Sequence, residues 1–147
     1  MPPIRRATIE DLQAIVASLG EFWGERDTTA LHHALFVHEF GDTALVFHDD
    51  RGHPIAYLLG FVTPAGVGYV HVVGVREDRR EGGLGRALYE EFESLTRARG
   101  GSALKAITRP GNHASVAFHQ ALGFAASEHG GYTALGEPRI VFWRELD

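Results

Sequence analysis

The spacing of apolar residues predicts a helix near the start of the chain and a second one soon after it. Four apolar residues recur there at helical spacing, namely Leu12, Ile15, Val16 and Leu19. Thr8 precedes them and Asp11 follows three residues later, which is the signature of a capping box. Gly20 is the expected end of this helix, and the second helix is expected over Thr28 to Phe40.

Runs of alternating apolar or β-branched residues between turn signals predict strands in the rest of the chain. These runs cover Ile4 to Ala7, Thr43–His48, Pro54–Val62, Gly68 to Arg76, Ala103–Thr108, the residues from Phe124 onward, and Ile140–Leu146. An amphipathic helical pattern from Leu84 to Gly100 separates the fourth run from the fifth. Strand, helix and strand in this order predict a βαβ crossover, with hairpins towards both ends of the chain, so the predicted class is mixed α/β.

Length and charge limit the classes of protein that fit these elements. A chain of 147 residues has room for one domain, so residues 1–147 are expected to form it. Fourteen basic against nineteen acidic residues give a net charge of −5, which argues against nucleic-acid and anionic-membrane partners. No apolar run reaches the ~18 residues of a transmembrane helix and no signal peptide is visible, so a cytoplasmic location is expected.

Residue types also exclude several kinds of catalytic and metal site. The chain contains no cysteine, which excludes disulfides, a thiol nucleophile and Cys-based zinc binding. The histidine-rich segment around His32, His33 and His38 lacks the His-Glu-x-x-His spacing of a metal-binding helix. No metal site is predicted.

A glycine-rich turn is the most informative stretch for chemistry. It follows a Val-rich strand, opens a helix and carries three glycines in four positions at 82–85. Outward-pointing amides and the positive end of a helix dipole suit a phosphate there. Leu88 stands where a Rossmann fingerprint needs a third small residue, and no Gly-Lys-Ser/Thr follows for a P-loop. Gly74, isolated within the strand, predicts a bulge or the close approach of a ligand.

The glycine-rich turn contains the motif Arg80-x-x-Gly83-x-Gly85, and a second motif further along the chain is Asn112-x-x-Ser115-x-x-Phe118-His119-x-x-Leu122-Gly123-Phe124. These two motifs resemble those of the GNAT superfamily of acetyl-CoA-dependent N-acyltransferases. The resemblance covers most of the chain. It implies a single-domain fold with a mixed, mostly antiparallel sheet, a splayed central βαβ unit and flanking helices.

The resemblance also implies a co-substrate, acetyl-CoA, and the residues that hold it. Backbone groups of Val73 and Val75 would bind the pantetheine, and Asn112 would lie near the same arm. The pyrophosphate would lie on the loop formed by Arg80, Glu81, Gly82, Gly83, Leu84, Gly85 and Arg86. Glu81 stands where the family commonly has glycine, and a carboxylate near a pyrophosphate is unfavourable, so it weakens the expected affinity.

Two histidines are candidates for proton transfer. His71 lies two residues before Val73, on the same strand face as Tyr69, and an imidazole suits a base near neutral pH. By the resemblance, His119 stands where the family commonly has a tyrosine that acts as the general acid beside the sulfur of coenzyme A. The alternatives are a half-buried strand histidine for His71 and a helix-lining residue for His119.

The acceptor is less well specified than the co-substrate. Glu21 and Trp23 lie between the first two helices, where the family usually builds its acceptor pocket, and Tyr69 is a further candidate. The predicted reaction is acetyl transfer to a primary amine of a small molecule or peptide, by direct attack in a ternary complex. The main alternative is a non-catalytic acyl-CoA-binding sensor, and a nucleotide-phosphate binder of another fold is more distant. An exposed sheet edge near Ile140–Leu146 invites pairing, which leaves a homodimer open.

Overall fold

The computed structural model describes residues 1–147 and contains seven strands and five α-helices. The strands are β1 (Ile4–Arg6), β2 (Leu45–His48), β3 (Pro54–Val62), β4 (Val67–Val75), β5 (Ala103–Thr108), β6 (Ala125–His129) and β7 (Arg139–Glu145). The helices are α1 (Ile9–Ala17), α2 (Leu19–Trp23), α3 (Leu35–His38), α4 (Leu84–Ala98) and α5 (His113–Ala121). Short 3₁₀ turns occur at Thr29–Leu31, Gly41–Thr43 and Glu77–Arg79.

The strands form one seven-stranded sheet in the order β1-β2-β3-β4-β5-β7-β6. The β4–β5 pair is parallel, as a βαβ crossover requires, and its register joins Val67–Val70 to Ala103–Ala106. The pairs β1–β2, β2–β3, β5–β7 and β6–β7 are antiparallel. The predicted α/β fold with a mixed, mostly antiparallel sheet and flanking helices is therefore confirmed.

The prediction of an exposed edge near Ile140–Leu146 is wrong. Strand β7 pairs with β5 on one side and with β6 on the other, so both of its hydrogen-bonding sides are occupied. The two strands at the ends of the sheet order are β1 and β6. The sequence could not show this, because the chain forms β6 before β7 and then inserts β7 beside β5.

The chain divides into two compact units. Unit 1 comprises Met1–Phe61 and His71–Leu95, and unit 2 comprises Val62–Val70 and Thr96–Asp147. In unit 1 the buried cluster joins side chains of α1, α2, α3, β2, β3 and β4. In unit 2 the antiparallel β5–β7–β6 ladder carries α5 against it.

The first helix begins as predicted but does not end as predicted. The Thr8 hydroxyl accepts from the Asp11 amide and the Asp11 carboxylate accepts from the Thr8 amide, so the capping box is present. At Ser18 the backbone leaves helical geometry, and its hydroxyl donates to the Ala14 carbonyl at 2.8 Å. Gly20 lies inside α2, which ends instead at Gly24 with φ of 63°.

The helix predicted over Thr28 to Phe40 is also wrong in extent. A 3₁₀ turn and the four-residue α3 replace it. The backbone departs from helical geometry at His32, whose ring nitrogen Nδ1 bonds the Thr28 carbonyl. The His33 ring accepts the Leu35 amide, so side chains here satisfy main-chain groups that a continuous helix would have bonded itself.

Helix α5 is capped as the sequence predicts. Asn112 is the N-cap, and its side-chain oxygen accepts from the Ser115 amide at 3.2 Å. Gly123 follows the helix with φ of 91°, a conformation that favours glycine. The two ends of α5 are therefore fixed by local chemistry.

Gly74 has a packing reason that the sequence does not reveal. A Cβ at this position would lie 2.8 Å from a ring carbon of Tyr57 on the neighbouring strand β3. The sequence predicted a bulge or the close approach of a ligand at Gly74, and the group that lies close to it in the structure is a buried tyrosine ring of the protein itself. The ladder between these strands continues past it, since the Arg76 amide donates to the Ile55 carbonyl at 2.8 Å.

We predict that Gly74→Ala lowers the free energy of unfolding by about 1–3 kcal/mol, because the new methyl group overlaps the Tyr57 ring. Urea denaturation monitored by circular dichroism measures this change. Gly20→Ala is the matched control, since its Cβ meets no atom within 4 Å in a helix. It should stabilise the protein by about 0.5–1 kcal/mol. Equal midpoints for Gly74→Ala and the wild type would contradict the packing argument.

Candidate functional site

The glycine-rich loop between β4 and α4 has the backbone features of an anion-binding turn. Glu81 and Gly83 have φ of 72° and 78°, so the loop turns twice through the left-handed region before α4 begins at Leu84. The first turn of α4 carries no acidic residue, and its leading amides have no partner within the helix. These features fit the pyrophosphate predicted from the sequence.

Arg80 fixes this loop through main-chain oxygens. Its guanidinium donates to the Phe22 carbonyl at 2.6 Å and to the Val75 carbonyl at 3.3 Å. These bonds tie the start of the loop to α2 and to the end of β4. The predicted contact of Arg80 with a phosphate stays a prediction, and the structure gives this residue a second, structural role.

The candidate base lies on a regular strand. Along β4 the positions alternate, with Tyr69, His71, Val73 and Val75 half-buried and the residues between them buried. The His71 ring stacks on Phe36 with centroids 4.3 Å apart and planes 16° apart. Its Nε2 lies 3.0 Å from the Leu31 carbonyl oxygen, and a carbonyl can only accept, so the proton of the neutral ring is on Nε2. The lone pair of Nδ1 is therefore available to accept a proton.

Burial lowers the pKa of His71 below its usual value. The hydrogen bond to Leu31 opposes this shift, and the nearby His32 adds to it. A lowered pKa keeps the imidazole neutral at pH 7, which is the form that a base requires.

A buried hydrogen-bond network surrounds the hydroxyl of Tyr57. Trp23 Nε1 donates to this oxygen at 2.9 Å, and the hydroxyl donates to His32 Nε2 at 2.6 Å. His32 Nδ1 in turn donates to the Thr28 carbonyl at 2.8 Å. Burial lowers the pKa of His32 and raises that of Tyr57, so both side chains are neutral at pH 7. Each hydrogen bond therefore donates in the same direction, from Trp23 through Tyr57 and His32 to the Thr28 carbonyl.

Sequence reasoning missed this network. Tyr57 lies in a continuously buried strand and His32 lies in a segment predicted to be helical. The only available signal was a polar aromatic side chain inside a run of apolar residues, since a buried tyrosine hydroxyl needs a partner. Nothing in the sequence indicates which partner that is.

His119 is enclosed by aromatic rings. It is 5% exposed, and its ring stacks on Phe142 at 4.0 Å with planes 4° apart. Phe118 and Phe124 contact it edge to face. Nδ1 donates to the Ser115 carbonyl at 2.8 Å, and burial lowers the pKa of the ring although this bond opposes the shift. At neutral pH His119 is therefore uncharged, with its proton held by a main-chain oxygen.

Asn112 is held from both ends of its amide. The oxygen caps α5, and the nitrogen donates to the Thr108 hydroxyl at 3.0 Å. These bonds place the side chain where β5 ends and α5 begins. The predicted contact with pantetheine is not tested by them.

The two acceptor candidates Glu21 and Trp23, predicted between the first two helices, both lie within α2, and their side chains have different surroundings. The Trp23 indole belongs to the Tyr57 network, with Arg26 over its ring at 5.9 Å. Glu21 is exposed and lines a polar cleft of about 520 Å³ that does not include Trp23. The other lining residues are Asp49, Asp50, Arg51, His53, Arg76, Glu77, Asp78 and Arg79.

The structure contains no cluster of metal-ligand side chains and no helix that could cross a membrane. No three His, Cys, Asp or Glu side chains converge as metal ligands would. Membrane crossing by a helix needs a long apolar span, and the structure contains none.

Comparison with known proteins identifies the family and the fold of the chain. The sequence model of the acetyltransferase (GNAT) family matches residues 9–124, which is more than half of the chain. The chain belongs to the acetyltransferase (GNAT) family. No curated protein sequence gives a significant match.

Solved structures share this GNAT fold over nearly the whole chain. Ard1 from Thermoplasma volcanium is 20% identical, with a TM-score of 0.80 over 99% of this chain and 97% of its own. The ribosomal-protein-S18-alanine N-acetyltransferase from Escherichia coli is 20% identical, with a TM-score of 0.74 over 100% and 95%. The NatC complex bound to Gag peptide and CoA is 14% identical, with a TM-score of 0.80 over 100% of both chains. The TM-scores establish a common fold, and at identities this low the similarity shows the fold alone.

We predict that Glu81→Gly stabilises the protein and strengthens coenzyme A binding. Glycine relieves the left-handed backbone at this position, which is worth about 1 kcal/mol in urea denaturation. Loss of the carboxylate should raise the affinity measured by calorimetry several-fold at low salt, and less at high salt.

The matched variant Glu81→Gln separates charge from backbone strain. It removes the charge and keeps the side chain, so affinity should rise without a gain in stability. Unchanged coenzyme A affinity in both variants at low salt would contradict a diphosphate bound beside Glu81.

Proposed function

We propose that this GNAT protein transfers an acetyl group from acetyl-CoA to a primary amine by direct attack in a ternary complex. The observation that carries this proposal is the neutral, oriented His71 on β4, the strand that leads into the glycine-rich loop. One domain, residues 1–147, would perform the reaction. The absence of cysteine removes a Cys-linked acetyl-enzyme from consideration.

The loop residues Glu81 to Arg86 would hold the diphosphate of the co-substrate. The left-handed turns of the loop and the first amides of α4 would supply hydrogen-bond donors to the phosphate oxygens. Main-chain groups of Val73 and Val75 would bind the pantetheine and polarise the thioester carbonyl. Removing stabilisation of this kind typically costs ~10²–10³ in rate.

His71 Nδ1 would take the proton of the acceptor. The amine nitrogen forms a bond to the acetyl carbon, the carbon–sulfur bond breaks, and the amine proton passes to Nδ1 directly or through a water. The bond from Nε2 to Leu31 keeps the ring in the orientation and tautomer that this step needs. The leaving thiolate must then gain a proton.

The predicted role of His119 as the donor of that proton has a cost in this environment. A buried, neutral imidazole whose proton bonds the Ser115 carbonyl must first acquire a second proton before it can donate one. The stacked rings around it support packing as its main role, with water as the proton donor.

The acceptor remains a primary amine of a small molecule or a peptide. The relatives named above support a peptide or protein amine, because one is a ribosomal-protein-S18-alanine N-acetyltransferase and another was solved with Gag peptide and CoA.

A non-catalytic acyl-CoA sensor is the second candidate. The observation in its favour is His119, which replaces the family's usual tyrosine with a buried, uncharged ring. Such a protein would bind acetyl-CoA without releasing coenzyme A thiol in the presence of amines.

We predict that His71→Gln lowers the single-turnover acetyl-transfer rate by about 10²-fold or more. Because burial lowers the pKa of His71, the acidic limb of the wild-type rate should lie below pH 6.5, and the variant should lack this limb. Deprotonation of the acceptor amine adds a separate rise, near pH ~8 for an α-amine and near pH ~10 for an alkyl amine. Thiol release across a pH series measures both.

Two further variants complete this experiment. His38→Gln, at the exposed end of α3, is the control and should match the wild type. His119→Phe keeps the stack on Phe142 and should retain the rate within about twofold, whereas a tenfold loss would restore His119 as the acid. An unchanged rate in His71→Gln would remove His71 as the base, and tight acetyl-CoA binding without thiol release would favour the sensor.

A further inference from the structure

Lys105 is the only lysine among the 147 residues. It lies in the middle of β5, half-buried, within unit 2. The register pairs it with Tyr69 of β4 on one side and with Trp143 of β7 on the other. Because paired residues share a face, the three side chains form a row across the sheet.

The Lys105 ammonium makes no ion pair in the structure. It forms a cation–π contact with the ring of Tyr132, whose centroid lies 5.3 Å from the nitrogen, in the segment between β6 and β7. Glu145 lies on the same face two residues along β7 and forms no bridge with it. A half-buried cation is therefore balanced by an aromatic ring and not by a carboxylate.

This arrangement is open on one side. Tyr132 and Trp143 are 37% and 39% exposed, whereas Tyr69 is half-buried. Burial raises the pKa of Tyr69 to about 12, so its hydroxyl stays protonated at neutral pH. A cation and a protonated phenol among aromatic rings are complementary to a carboxylate carried by a ligand.

We propose that Lys105, with Tyr69, Tyr132 and Trp143, is a subsite for a carboxylate of the acceptor amine. This deepens the proposed function and rests on it. Tyr69 precedes His71 by two residues on β4, about 7 Å along the strand. The acceptor class is therefore an amine that carries a carboxylate, either a free amino acid or a peptide with an acidic side chain near its N-terminus.

The sole lysine allows a direct binding test that needs no turnover. Protein grown with lysine labelled with ¹³C at Cε gives one lysine signal, which is absent in Lys105→Arg. Titration with N-acetylglycine should shift this signal to saturation, and N-acetylglycinamide, which lacks the charge, should not. Equal or non-saturating shifts with both probes would overturn the subsite.

Acetyl transfer then identifies the source of the carboxylate. Phenylalanine is compared with phenylalaninamide, and the peptide amide Asp-Ala-Ala with Asn-Ala-Ala. Lys105→Met should raise KM about tenfold or more for the preferred carboxylate acceptor and leave its uncharged partner unchanged. Lys105→Arg should retain most of the preference. Arg6→Met, which removes one positive charge from the exposed end of β1, should match the wild type.

The two proposals fail in different ways. A saturating lysine signal without transfer to any amine would keep the subsite and reject the acetyltransferase. Transfer to amines with no preference for a carboxylate, together with a flat titration, would keep the acetyltransferase and reject the subsite.

Discussion

The buried hydroxyl of Tyr57 is the interaction on which unit 1 depends. It accepts from Trp23 of α2 and donates to His32, and the ring beneath it fills the space that Gly74 leaves open on β4. Removal of that one oxygen would leave two buried polar groups without a partner, at about 1–3 kcal/mol each. A single side chain therefore connects the helix α2, the turn that ends at His32 and the strands β3 and β4.

The same network reaches the candidate base through the main chain. His32 is bonded at both ring nitrogens, and the residue before it is Leu31, whose carbonyl accepts from His71. The position of that carbonyl decides which nitrogen of His71 carries the proton. The hydrogen bond from His71 to the Leu31 carbonyl thus determines which ring nitrogen on the half-buried face of β4 can accept a proton, and the Tyr57 network holds that carbonyl in place.

Local chemistry made much of the fold predictable, and non-local contacts account for what was missed. The capping box at Thr8, the N-cap at Asn112 and the strand Pro54–Val62 depend on neighbouring residues, and the structure agrees with each. The break at His32 and the interior position of β7 depend on partners distant in the chain. The motif was enough to identify the loop at Gly83. The Tyr57 network and the contact of Lys105 with Tyr132 could be identified only from the structure.

The most direct test of this account is the tautomer of His71, read from ¹⁵N chemical shifts of histidine at pH 7 in the wild type and in Tyr57→Phe. We predict a neutral ring with its proton on Nε2 in the wild type. In the folded variant the turn before His32 loses its anchor, so the signal should move towards a mixture of tautomers. A proton on Nδ1 in the wild type, or identical His71 spectra in the two proteins, would contradict the account.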